Sequence, residues 1–299
     1  MTRSGFVALA GRPNVGKSTL VNAIVGRKVA IVSDKPQTTR RAIRGVATNL
    51  SPPTPWQAVL CDLPGVQKPR DVLTTRMQKR VEHELGESDA VLFVVDGVQG
   101  VGGPGDRWIA EVLAPAGKEV TIVVNKADRL RREGMVAALE AAAALGLDDA
   151  EIFPVSARTG EGVEALTTHL VAQLPEGPFY FPEDEISDLR EETFLAELVR
   201  EQVLRRTRQE VPHSVEVQVE EIETREDGLL TVRAAVWVET ESQKGILIGA
   251  GGRMIRDVGT AARKEIQREV ADRVHLELSV RVRRAWRTDD GLLDRLGIT

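Results

Sequence analysis

From residue 6 to 174, short apolar runs rich in valine and isoleucine alternate with stretches whose apolar positions recur at helical spacing. This pattern predicts strands at 6–10, 42–49, 57–62, 90–96, 119–125 and 151–155, and helices at 17–25, 76–87, 106–114, 131–145 and 163–174. Alternation of this kind implies a mainly parallel α/β sheet covered on both faces, with ligands at the carboxyl ends of its strands. The segment from Leu174 to Pro182 then packs in three prolines, a glycine and clustered aromatics, which block helix continuation and read as a boundary. Phe179, Tyr180 and Phe181 could anchor that boundary on either side of it. Beyond it the pattern predicts a helix at 187–209, strands at 214–223 and 229–239 around the turn Arg225–Gly228, helices at 242–248 and 254–271, and a strand at 274–284. The expected organisation is a domain over 1–174, a linker over 175–185 and a smaller α+β domain over 186–299.

The phosphate-loop pattern GxxxxGK[ST] spans Gly11, Arg12, Pro13, Asn14, Val15, Gly16, Lys17 and Ser18, with Thr19 following. It lies between the first strand and the first helix, where backbone N–H groups and a helix N-terminus can wrap a triphosphate. A glycine turn without a ligand is the bland alternative, and spacing with context disfavours it. Lys17 would pair with the β- and γ-phosphates, and the Ser18 hydroxyl would join a Mg²⁺ shell. Asp62, Leu63, Pro64 and Gly65 close the 57–62 strand as a DxxG element. There Asp62 can hold a Mg²⁺-bound water and the Gly65 N–H can sense a γ-phosphate. Asn125, Lys126 and Asp128 close the 119–125 strand. The Asp128 carboxylate can accept from two donors that guanine presents together and adenine does not. Asn125 would brace the loops and the Lys126 stem would lie along the base. Ser156, Ala157 and Arg158 end the last strand, small enough at the first two positions for backbone N–H groups to reach the guanine carbonyl.

Composition changes this picture little. The 299 residues are 42% hydrophobic and 28% charged, as in ordinary globular proteins. No apolar run approaches the ~20 residues needed to span a bilayer, and no signal peptide is visible. The single cysteine, Cys61, excludes an internal disulfide framework and reads as strand core in a cytoplasmic protein. The four histidines show no ligand spacing. Charge is more telling. The net value is −5, yet residues 244–287 carry 11 Lys/Arg against 5 Asp/Glu, a basic segment inside an acidic chain.

Four ordered elements at strand ends resemble the translation-factor class of P-loop GTPases across the whole first domain. Asn14 and the segment from Pro36 through Thr38 and Thr39 to Arg40 narrow this to the branch containing Era, Der and MnmE. The resemblance implies Mg²⁺ with GTP or GDP, a first switch loop over 27–41, and catalytic roles for Lys17, Thr39 and Gly65. One threonine of that loop closes on Mg²⁺ beside Ser18 and Asp62; Thr39 is taken ahead of Thr38, which the residues alone do not separate. It also implies that Asn14 can hold a K⁺ beside the phosphates. Val66 stands where many GTPases carry a water-orienting glutamine, so slow turnover is expected, driven by positioning and charge neutralisation.

In the second domain Gly249, Ala250, Gly251 and Gly252 form a GxxG loop between two predicted helices. With Lys244, Gly245, Ile248, Arg253 and Arg256 around it, the element order resembles a type II KH domain, whose groove holds about four unpaired nucleotides. The stretches 243–249 and 259–266, with Trp286-Arg287 and Leu293–Gly297, resemble the Era family, which then covers essentially the full chain. The family implies binding to the 3′ end of 16S rRNA, a role in assembly of the 30S subunit, peripheral membrane association in some settings, and no DNA partner. Ala250 departs from the basic residue usual in relatives, leaving backbone amides, Lys244, Arg253 and Arg256 to carry the phosphate contacts. A GTPase with two nucleotide domains would need a second phosphate loop, and none exists in this sequence. A pure binding protein with a dead nucleotide site would need a broken Lys17 or Asp62, and both are intact.

Overall fold

The computed structural model describes residues 2–35, 37–65, 71–147, 149–207, 211–270 and 272–298, without the His213 side chain. Two compact units are present. The first comprises residues 2–30, 39–65 and 74–188; the second comprises Ile31–Thr38, 71–73 and 189–298.

The first unit is built on six strands: β1 (Arg3–Ala10), β2 (Ile43–Asn49), β3 (Trp56–Asp62), β4 (Ala90–Asp96), β5 (Glu119–Asn125) and β6 (Glu151–Val155). Their order is β2-β3-β1-β4-β5-β6, parallel throughout except that β2 runs antiparallel to β3. Helices α1 (Lys17–Val25), α2 (Val72–Glu87), α3 (Pro104–Leu113), α4 (Arg132–Ala143) and α5 (Val163–Gln173) flank it. Because side chains alternate across a strand, Val7 and Leu9 of β1 face α1 and α5, whereas Ala8 and Ala10 face α2, α3 and α4. Strand β4 is buried at every position, which is why it reads as one unbroken apolar run. Truncating a core leucine such as Leu92 to alanine would cost about 2–5 kcal/mol.

The segment expected to be a linker over 175–185 instead belongs to the first unit, as does all of 175–188. Ser4 N–H donates to the Pro175 carbonyl at 3.0 Å, and Val46 N–H donates to that of Ile186 at 2.8 Å. The buried Gln57 amide accepts from Tyr180 and Phe181 N–H at 2.8 and 2.9 Å and donates to the Phe181 carbonyl at 3.0 Å. Prolines stopped the helix without freeing the chain, because a buried side-chain amide needs its full set of partners. Tyr180 sets its ring edge-on to Phe6 at 4.7 Å.

The second unit contains α6 (Glu191–Arg206), α7 (Val211–Ser214), β7 (Glu216–Thr224), β8 (Leu230–Val238), α8 (Glu241–Ile248), α9 (Arg253–Val270), β9 (Val274–Val282) and α10 (Asp290–Arg295). Its sheet has the order β7-β8-β9, with β7–β8 antiparallel and β8–β9 parallel. Val232, Ala234, Val236 and Val238 of β8 pack against Leu195, Val199 and Val203 of α6 and Val258, Ala262 and Ile266 of α9. The periodicity placed these elements within a few residues and missed α7 and α10. The latter follows Trp286, which is fully buried and donates its indole N–H to the Ser214 carbonyl at 2.9 Å. Among the described residues no helix is long and apolar enough to cross a membrane.

Candidate nucleotide site and RNA groove

The carboxyl ends of β1, β3, β5 and β6 bring the first-domain motifs together. Gly11 has φ 149°, and a Cβ there would lie 2.3 Å from the Val94 carbonyl oxygen. At Gly16, φ is 101° and a Cβ would strike the Asn125 amide at 2.3 Å. Both positions therefore require glycine. No side chain caps the N-terminus of α1, so its opening N–H groups and dipole face the loop. The Lys17 ammonium is buried and donates to the carbonyls of Gly11 and Arg12 at 3.0 and 3.1 Å. Burial pushes its pKa down to about 8, against the opposing pull of Asp62. The ammonium has a third N–H, which can donate to an anion.

Ser18, Thr39 and Asp62 form a tight cluster. Ser18 Oγ donates to Asp62 Oδ2 at 2.6 Å, Thr39 Oγ1 donates to the same oxygen at 3.2 Å, and the two hydroxyls are 3.1 Å apart. The other carboxylate oxygen, Oδ1, is buried and accepts no hydrogen bond from the described residues. Burial raises the Asp62 pKa, with Lys17, Ser18 and Thr39 holding it back. Hard oxygen donors around an under-satisfied buried carboxylate fit Mg²⁺. Thr38, by contrast, donates its hydroxyl to the Lys35 carbonyl at 2.6 Å within the second unit. Leu63 and Pro64 are buried, and Gly65 lies so close that a Cβ there would be 2.7 Å from Pro13. Pro36 and Val66 lie outside the described residues.

At the base end, Asn125 Nδ2 donates to the Val15 carbonyl at 2.9 Å, while its Oδ1 accepts from Lys126 N–H at 2.7 Å and Ala157 N–H at 3.0 Å. One amide thus braces three loops. Lys126 Nζ donates to the Asn14 carbonyl at 2.9 Å. Asp128 accepts from Ser156 Oγ at 2.7 Å and Arg158 at 2.8 Å. The Ser156 hydroxyl, joined by the Arg158 guanidinium, holds the Asp128 carboxyl below its ordinary pKa. A carboxylate so stabilised can accept two parallel N–H donors from a base edge. Thr19 is half-buried in the first turn of α1. Arg12 is placed differently from its expected role: its side chain is turned to Asp106 at 2.6 Å and the Gly100 carbonyl at 3.3 Å. Only its backbone joins the loop.

In the second unit, Lys244, Gly245 and Ile248 line α8, and Gly249 to Gly252 connect it to Arg253 and Arg256 of α9. The φ angle is positive at Gly249, Gly251 and Gly252, at 69°, 61° and 75°. A capping box between Thr240 and Gln243 fixes the start of α8. Arg253 and Arg256 are exposed beside the α9 N-terminus, and Ala250 is exposed without a charge. Sequence reading missed two residues. Ile246 is an isoleucine 50% exposed on α8, recognisable only by its neighbour Leu247 taking the core position. Asp96 is fully buried at the end of β4, and its signal was one carboxylate closing an all-apolar strand. Among the described residues no group of three or more His, Cys, Asp and Glu side chains could hold a metal ion, so the Mg²⁺ candidate rests on hydroxyls and one carboxylate.

Residues 6–126 match the family of 50S ribosome-binding GTPases, and residues 210–287 match the KH domain family. The chain is 46% identical to GTPase Era of Mycobacterium tuberculosis, over 98% of each chain. With GTPase Era of Mycolicibacterium smegmatis it shares 44% identity, over 99% of this chain and 98% of that one. Two solved structures are similar over the full length of both chains, each with a TM-score of 0.94 and 34% identity. One is Era in complex with MgGDPNP and nucleotides 1506–1542 of 16S ribosomal RNA; the other is a variant of Aquifex aeolicus Era bound to GDP·AlF4⁻. By fold, by motif and by identity along its whole length, the chain belongs to the Era family of GTPases.

Proposed function

We propose that this protein is a GTP-hydrolysing switch that binds the 3′ region of 16S rRNA and assists assembly of the 30S subunit. The observation that carries the reading is the Ser18–Thr39–Asp62 cluster beside a buried Lys17, in a chain whose second unit presents a glycine-rich turn with exposed arginines. Lys17 and the backbone from Gly11 to Thr19 hold the phosphates, and Ser18, Thr39 and Asp62 hold Mg²⁺. When bound, Mg²⁺ would supply positive charge to the phosphates. Asp128 selects guanine, with Lys126 along the base and Ser156, Ala157 and Arg158 closing over it. Gly65 senses the γ-phosphate. With valine at position 66, hydrolysis rests on positioning and on Lys17. Asn14 is the residue that would hold a K⁺, which would supply further positive charge beside the phosphates.

The RNA strand would lie along Lys244, Gly245, Ile248, the turn 249–252, Arg253 and Arg256, with Ile246 offering an apolar surface to a base. Arg253, Arg256 and Lys244 supply the charge that Ala250 does not. Similarity to Era bound to 16S rRNA nucleotides supports this target over DNA. A cytoplasmic location with peripheral membrane association completes the reading on family resemblance.

Calorimetry with GDP and ADP, followed by GTP turnover with and without a single-stranded RNA from the rRNA 3′ end, tests it. Guanine preference is expected in the wild type, shifting towards xanthosine diphosphate in Asp128→Asn, whose amide donates where the carboxylate accepted. Equal affinity for GDP and ADP would overturn the assignment.

A further inference from the structure

The Lys126 ammonium is held from two sides. On one it donates to the Asn14 carbonyl of the phosphate loop at 2.9 Å; on the other it faces Asp96 Oδ2 at 2.5 Å. Asp96 is fully buried, and its second oxygen accepts from the N–H groups of Val98 and Gln99 at 2.9 and 3.1 Å. Asn14 and Lys126, the two residues that the first of these bonds joins, are non-glycines in the left-handed region, with φ of 64° and 69°. Such conformations persist where surrounding contacts over-determine them. The neighbouring bond from Asn125 to the Val15 carbonyl ties a second, successive phosphate-loop carbonyl to the base loop.

We infer that Asp96 is a positioning residue for guanine-nucleotide binding: its carboxylate clamps Lys126 against the Asn14 carbonyl, so that the base loop and the phosphate loop are set as one piece. The Lys126 side chain is 24% exposed, so without Asp96 its ammonium can turn to water and release Asn14. The clamp rests on the proposed nucleotide site and adds a residue that no motif contains. Asp96 acts through Lys126; its other hydrogen bonds, to Val98 and Gln99, offer a competing role as a simple turn cap.

A double-mutant cycle on GDP affinity separates the two roles. Asp96→Asn keeps an amide oxygen for the turn and removes the charge facing Lys126. It is expected to weaken GDP binding about tenfold to a hundredfold, the range for losing a hydrogen bond to a charged group. In a Lys126→Met background the same change is expected to alter affinity less than about twofold, because its partner is already gone. An equal loss in both backgrounds, or unchanged affinity in the wild-type background, overturns the inference. Circular dichroism checks folding; should Asp96→Asn not fold, Asp96→Ser retains a hydroxyl acceptor for the turn and is read the same way. Failure of the guanine-site reading would show separately, as a wild type that does not prefer GDP to ADP.

Discussion

At the scale of single residues, Lys17 carries the sharpest physical consequence. Its ammonium is buried, and burial lowers its pKa to about 8 from the ordinary 10.5. Between those values the unfolded chain holds a proton that the folded, ligand-free protein has lost, so stability of the free protein rises with pH from about 8 to 10.5. Nucleotide binding runs the other way. Phosphates favour the charged form, so GDP affinity is full below about pH 8 and falls above it, by up to about tenfold per pH unit. Calorimetric dissociation constants at pH 7, 8 and 9 check this. Lys17→Met should bind weakly with no such slope from this group, which separates the lysine from ionisation of guanine itself. A wild type with the same pH dependence as the variant would place the ammonium in water. Much of the site's placement was legible: the motif spacings put Lys17, Asp62, Asn125 and Asp128 at or just beyond strand ends, where the structure has them. Thr38 against Thr39 was not legible. Two adjacent identical side chains differ only in which way the backbone points them, and the contact of Thr39 with Asp62 emerges only in three dimensions.

At the scale of elements, the turn between α8 and α9 separates stability from binding. Gly249 and Gly251 both have positive φ, with ψ of 173° and 24°, and their surroundings differ too. A Cβ at Gly249 would lie 2.9 Å from the Met254 Cβ and 3.0 Å from its backbone nitrogen, whereas a Cβ at Gly251 would meet none of the described residues within 4 Å. Gly249→Ala is therefore expected to destabilise the fold by about 1–3 kcal/mol through strain and crowding. Gly251→Asp enters open space, and aspartate is among the residues that tolerate this conformation. It should leave the melting transition nearly unchanged and reduce affinity for single-stranded RNA at least about tenfold, since a carboxylate then faces phosphate at the α9 N-terminus. Thermal melts and filter binding on the pair check both halves; RNA affinity surviving in Gly251→Asp would move the groove elsewhere. Periodicity rendered the elements well because strands and helices here bury one face or both with regular apolar spacing. It failed where order comes from side-chain hydrogen bonds instead. The 175–188 segment has the composition of a loose linker, yet Gln57 pins it, and a single glutamine inside a strand gives no periodic signal.

At the scale of the whole molecule, the second unit contains more than the KH-like domain that the sequence outlined. Residues Ile31–Thr38, read from sequence as part of a first-domain switch loop, are built into it. Ile31 shares an apolar core with Leu195 and Val199 of α6, and the Val32 N–H donates to Glu201 at 2.9 Å. The Thr38 carbonyl accepts from Arg200, a fully buried arginine also paired with Glu197 and lying 3.9 Å from Glu216. Only the fold shows that these charges are enclosed. One peptide bond later, Thr39 joins the cluster proposed to hold Mg²⁺. A ligand that favours one position of Thr39 therefore acts on the residue next to a segment built into the unit proposed to bind RNA. Coupling of this kind is reciprocal and is typically worth about 1–3 kcal/mol. A non-hydrolysable GTP analogue and GDP should thus differ about fivefold or more in their effect on affinity for the rRNA 3′ tail, and the tail should shift the preference between the two nucleotides by the same factor. Glu201→Ala leaves the Val32 N–H without its acceptor and should shrink that difference below about twofold, while GDP affinity in the absence of RNA stays as in the wild type. Filter binding in each nucleotide state, with a melt to confirm that the variant folds, decides the matter. Equal RNA affinity of the wild type in both states would mean that the 31–38 segment transmits nothing.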